Sequence, residues 1–170
     1  MLAVAPSLRS TVPAGRPLVK VCGIMRPDDA VVAAEAGADM LGFVFAPSRR
    51  QLSLEVASMI TNRIANRIAS ESRPLMVGVF VNEATDVILQ TAARVGLDII
   101  QMSGDENPEQ VHEVALRCRV LKALRFPPGT TAASALAACS RYAPPGTGGR
   151  IQLLVDTHHE DVYGGSGKTS

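Results

Sequence analysis

Three side chains in this sequence have the chemistry to move protons or to grip an anion: the Cys22 thiol, the Arg50 guanidinium and the Asp156 carboxylate. A free thiol near pKa ~8.5 is only a few per cent thiolate at neutral pH, and a nearby cation raises that fraction. Lys20 stands two residues before Cys22, on the same face of a strand and roughly 6–7 Å along it. Asp156 ends the apolar run 151–156, where a carboxylate is costly unless paired or protonated. Desolvation there would raise its pKa, the opposite push to the one on the thiol. A planar guanidinium such as Arg50 can hold a carboxylate bidentately. Each residue also has an ordinary reading. Cys22 could be a small core hydrophobe, Arg50 a solvated loop charge and Asp156 a turn or helix cap.

Chemistry at these positions depends on elements that bring them together. From Leu18 onward the chain alternates between short Val/Ile/Leu-rich runs and helix-period segments. The runs cover 18–24, 39–45, 74–81, 98–102, 119–126 and 151–156, and each is too short for an independent helix. Between them, Ala84, Val87, Ile88, Thr91, Ala92 and Val95 make one apolar helical stripe. Val111, Val114, Ala115 and Cys118 make another, opened by Asn107 as N-cap and Pro108 at the first helical position. Val56, Ala57, Ile60 and Ile64 form a third after Ser53. Residues 28–36 and 130–142 are Ala-rich helix candidates.

Six strands with five intervening helices are repeated βαβ units, hence a parallel sheet with helices outside. No GxGxxG follows the first strand, so the usual dinucleotide site of an open sheet is absent. Lys20 with Cys22, and Lys122 with Leu124, place polar groups inside otherwise apolar strands. That pattern is expected of a barrel interior and rim. The fold expected is α/β, a (β/α)8 TIM barrel with about six strands and five helices present. In a barrel the strands' carboxyl ends carry the chemistry. Those ends hold Cys22, Arg50, Asn82, Gln101 with Ser103 and Asp105, and Asp156.

The bulk numbers agree with a globular enzyme. The chain has 170 residues, 46% hydrophobic, with a net charge of +1. Scattered Lys and Arg give no basic patch for nucleic acid, and no apolar run approaches the ~20 residues of a membrane span. Cys22, Cys118 and Cys139 form neither a disulfide framework nor a CxxC metal pair, which favours a reducing cytoplasm. Residues 1–17 read as a flexible N-terminal extension, although their composition also suits an organelle transit peptide. Residues 18–170 read as the incomplete barrel.

Several blocks resemble one known family. Lys20-Val21-Cys22-Gly23-Ile24 resembles the KICGI segment that opens the phosphoribosylanthranilate isomerases of tryptophan biosynthesis. Residues 42–50 (GFVFAPSRR) are similar to their second strand and following loop, and Val77 to Asn82 to the third strand. Gln101-Met102-Ser103-Gly104 resembles the fourth, and 154–157 with 164–169 the sixth. The resemblance runs in order from Val19 to Thr169.

It implies an Amadori rearrangement that opens the ribose ring of a phosphosugar substrate and moves a proton, with no metal and no organic cofactor. By the same resemblance Asp156 is the general acid at the ring oxygen and Cys22 the general base at C2. Arg50 holds the anthranilate carboxylate, and Gln101 joins the substrate-binding set. Ser103 stands where many relatives have His, and a hydroxyl cannot act as an imidazole would. Relatives continue with a helix and two further strand–helix units that supply the phosphate site. An unclosed sheet can self-associate through its open edges, and the alternative to an active isomerase is a barrel fragment that needs a complementing part for activity or acts only as an association module.

Two other motifs lead elsewhere. The tail 164–169 looks like a Walker A loop, but the position of its first Gly is Val162, and no helix follows to offer amides to phosphate. A mobile lid suits its glycine content. His158 and His159 are adjacent and lack a third ligand at helical spacing, so a solvated loop is expected there.

Overall fold

The computed structural model describes residues 16–144 and 149–156. Runs of β-branched and apolar residues form six parallel strands: β1 (Lys20–Cys22), β2 (Met40–Val44), β3 (Leu75–Phe80), β4 (Ile99–Met102), β5 (Arg119–Arg125) and β6 (Ile151–Asp156). They pair in strict chain order, β1 to β6. The connecting helices are α1 (Pro27–Glu35), α2 (Leu54–Arg67), α3 (Thr85–Val95), α4 (Pro108–Ala115) and α5 (Ala132–Tyr142). A doubly wound sheet reverses its strand order at a switch point. Here no reversal occurs, so the elements are six strands and five helices of a (β/α)8 barrel, as expected.

Helix starts follow the side chains that cap them. The Val56 amide donates to the Ser53 hydroxyl at 3.3 Å, opening α2. The Gln110 amide donates to Asn107 Oδ1 at 2.8 Å, with Pro108 in the first turn of α4. Such caps are worth about 1 kcal/mol each. Helix α3 ends at Gly96, whose φ of 77° is the left-handed conformation that glycine adopts without strain. Its buried stripe is Ile88, Thr91, Ala92 and Val95; Val87, expected in it, is exposed.

Both faces of the sheet are packed. On the outer face Leu41, Phe43 and Met76 cluster with Ala30, Ala57, Ile60 and Ile64 of α1 and α2. Farther along, Phe80, Ile100, Met102 and Val120 cluster with Ile88, Val111 and Val114 of α3 and α4. Met40, Val77 and Ile99 form the inner cluster, with Leu75 and Leu121 half-buried against it. Fully buried side chains such as Phe43 and Ile60 contribute about 1.5–3 kcal/mol each by leaving water.

Lys122 departs from the expectation. It pairs in register with Met102, an outer-face residue of the helix-packed cluster, and is 1% exposed. It therefore points to the helices, as does Leu124, rather than into the barrel. The side chain reaches that layer because Glu106 offers it a counter-charge there. Of residues 1–17, Arg16 and Pro17 are described. The Arg16 Nη1 group and the Val19 amide both donate to Asp39 Oδ2 at 2.8 Å, tying the entry of β1 to that of β2. The Arg16 hydrogen bond holds the Asp39 carboxyl below the usual carboxylate range.

Candidate functional site

Residues paired in a parallel ladder point to the same side of the sheet. Cys22 pairs with Gly42, two residues before Val44. Val44 pairs with Val79, Val79 with Gln101, and Gln101 with Leu121. Arg125 shares that face four residues on, and pairs with Asp156. Lys20, Cys22, Gln101, Arg125 and Asp156 thus lie on one face, the inner one. The row through Cys22, Gly42, Val77 and Ile99 reaches Arg119, whereas Asp156 stands opposite Arg125. A ladder staggered in this way is what strand tilt in a barrel produces.

Strand β1 stops at Cys22 because Gly23 turns to a φ of 80°, and the Gly23 and Ile24 amides both donate to Gly42 O, at 2.9 and 3.1 Å. The thiol is exposed. A methyl group built on Gly42 would lie 2.7 Å from Cys22 Sγ and 2.9 Å from Lys20 Nζ. The thiol and the ammonium therefore meet over one glycine. They cannot be farther apart than those two distances together. On the other side, Arg50 lies in the turn after β2 with its Cδ over Gly23, and its Nε and Nη1 are each 3.3 Å from where a Cβ would stand. Thiol, ammonium and guanidinium thus gather at the ends of the first two strands. An exposed thiol there can reach a ligand's proton, and a guanidinium there can receive a carboxylate.

Across the sheet, Gln101 is buried and its Nε2 donates to the Ser103 hydroxyl at 3.0 Å. Its Oε1 is buried without a hydrogen-bond partner among the described residues. An acceptor left so is open to a donor on a ligand. Asp156 ends β6 half-buried and beside Arg125, not in the apolar seclusion that the run 151–156 predicts. The sequence reading missed Arg125, which also donates to Asp105 Oδ1 at 3.0 Å. Its place at the end of the fifth apolar run was the available signal.

The loops after β3 and β4 interlock through Lys122, whose face the strand pattern misplaced, and Glu106, which it passed over. Lys122 Nζ donates to Glu106 Oε2 and to Gly104 O, both at 2.7 Å. Glu106 Oε1 accepts from the Asn82 amide at 2.9 Å and the Gly104 amide at 3.0 Å. An acid just ahead of the Asn107 cap gives no periodic signal, which is why Glu106 was not singled out.

Among the described residues no group of three or more His, Cys, Asp or Glu is placed to hold a metal ion, and no helix is long and apolar enough to cross a membrane. A shallow groove lined by Pro27, Asp28, Met59, Asn62, Arg63 and Asn66 runs between α1 and α2, in the helix layer and not on the inner face. His158, His159 and the glycine-rich tail 164–169 lie outside the described residues, as do residues 1–15.

Comparison with known proteins adds a family. A sequence profile of N-(5'phosphoribosyl)anthranilate (PRA) isomerase matches residues 19–143. The N-(5'-phosphoribosyl)anthranilate isomerase of Roseiflexus castenholzii is 39% identical over 153 residues, covering 88% of this chain and 67% of that protein. Among solved structures, phosphoribosyl anthranilate isomerase from Thermotoga maritima superposes with a TM-score of 0.72 at 31% identity, over 90% of this chain and 67% of the other. A further phosphoribosyl anthranilate isomerase, solved in complex with reduced 1-(O-carboxyphenylamino)-1-deoxyribulose 5-phosphate, matches with a TM-score of 0.68 at 33% identity, over 84% and 66% of the two chains. The chain spans about two thirds of the length of the relatives it matches.

Proposed function

Because this chain belongs to the N-(5'-phosphoribosyl)anthranilate isomerase family, we propose that it acts in tryptophan biosynthesis. The reaction is the Amadori rearrangement of N-(5-phosphoribosyl)anthranilate to 1-(2-carboxyphenylamino)-1-deoxyribulose 5-phosphate. The observation that carries this reading is the meeting of Cys22 Sγ and Lys20 Nζ over Gly42, with Arg50 over Gly23 beside them.

The chemistry needs an acid and a base on one sugar. Asp156 gives a proton to the ribose ring oxygen, so the C1–O bond breaks as the anilino lone pair forms a protonated imine at C1. Cys22, with the Lys20 ammonium beside it, takes the C2 proton, and the electron pair moves to make the enolamine. Tautomerisation then places the carbonyl at C2. Arg50 holds the anthranilate carboxylate so that C2 faces the thiol, and Gln101 Oε1 accepts a donor from the substrate. The reading places the reaction in the cytoplasm, where Cys22, Cys118 and Cys139 stay free.

The test is an isomerase assay on the chain alone and with the last third of a full-length relative supplied in trans. Turnover with the complement is expected. No turnover despite a folded, tightly bound complement would overturn the reading.

A further inference from the structure

We propose that Glu106 and Lys122 are a positioning pair: two charges buried behind the sheet that hold the loops after β3 and β4, and through them the Gln101–Ser103 end of the site. Neither side chain faces the inner side. Lys122 stands beside Met102 on the outer face, and the ion pair is sealed at 1% and 0% side-chain exposure.

The contacts are arranged to fix loops. The Lys122 ammonium spends its hydrogens on Glu106 Oε2, on Gly104 O and, more weakly at 3.4 Å, on Met102 O. Glu106 Oε1 accepts one amide from each of two loops, Asn82 after β3 and Gly104 after β4. The loops also grip each other. Asn82 adopts a φ of 52°, a region that Asn tolerates better than most residues, and its Oδ1 accepts the Asp105 amide at 2.7 Å. A side chain at Gly104 would run into Asn82. From outside, Tyr142 of α5 donates its hydroxyl to Glu106 O at 3.0 Å, and its ring lies 5.6 Å from Lys122 Nζ.

Energetics separate positioning from mere stability. A buried ion pair is seldom more stabilising than apolar side chains of the same volume. Apolar side chains would fill the space as well, but could not accept two loop amides. What the charged pair adds is loop geometry. The inference rests on the isomerase reading only for what the loops serve.

The test compares wild-type chain with E106L/K122M and with E106Q, by melting and by amide hydrogen exchange. The double variant buries no charge, so its Tm should match or exceed the wild type. Its Asn82 and Gly104 amides should exchange about tenfold or more faster, while the Val77 and Ile100 amides keep their protection. E106Q retains one acceptor oxygen, so its loop-amide exchange should fall between the two, while its Tm should drop below both because Lys122 is left a buried charge without a counter-charge. With the complementing segment added, the double variant should lose about tenfold in kcat/KM, mostly through KM. Loop amides protected as in wild type would overturn the proposal. So would a double variant that fails to fold or opens strands and loops in step, and so would open loops with unchanged kinetics. A wild-type complex without turnover would sink the isomerase reading instead, and exchange and melting would then decide this proposal by themselves.

Discussion

Cys22 Sγ and Lys20 Nζ occupy the space that a side chain on Gly42 would take. One missing methyl group on β2 therefore lets a thiol and an ammonium share the inner face of β1. The thiol's reactivity should depend on that cation.

Lys20→Met should slow alkylation of Cys22 by iodoacetamide near neutral pH about threefold to tenfold. Labelling of Cys118 and Cys139, followed by mass spectrometry in the same sample, should not change. Equal rates at Cys22 in the two proteins would show that the ammonium does not act on the thiol.

Arg50→Lys should raise KM about tenfold or more in the complemented enzyme and leave kcat within about threefold. A point charge replaces a bidentate fork, so grip is lost while the reacting centre is untouched. Steady-state kinetics check this, and a loss confined to kcat would contradict the role.

Ile60→Ala should destabilise the chain by about 2–5 kcal/mol, because its side chain is fully buried among Phe43, Ala57 and Ile64 and the hole cannot fill with water. Urea denaturation measures the loss.

The Arg16 hydrogen bond depresses the Asp39 carboxyl, helped by the Val19 amide. Its contribution to stability is present above the unfolded carboxylate value of about 3.9 and is lost as pH falls through the lower folded value. Asp39→Asn should therefore lower the urea midpoint near neutral pH, and the gap to wild type should close on acidification below that value. A gap that does not narrow would show that the carboxylate's charge is not the source.

What the sequence disclosed follows from how local each signal is. Ser53 and Asn107-Pro108 cap their helices through amides three residues on, so a short window contains the whole interaction. The strands were legible because both faces are covered and the runs are continuously apolar. The face that Lys122 takes was not legible. Its partner Glu106 sits 16 residues earlier in a loop, and only the strand register reveals which side of β5 it meets. For the same reason the apolar run before Asp156 suggested seclusion, while the neighbour that matters, Arg125, comes from an adjacent strand.

The most direct test of the acid–base account is turnover of C22S and D156N beside wild type, each assembled with the complementing segment, with binding of the reduced product analogue followed in parallel. The account predicts that each variant still binds the analogue but loses about a hundredfold or more in kcat. Either variant turning over at the wild-type rate would contradict it.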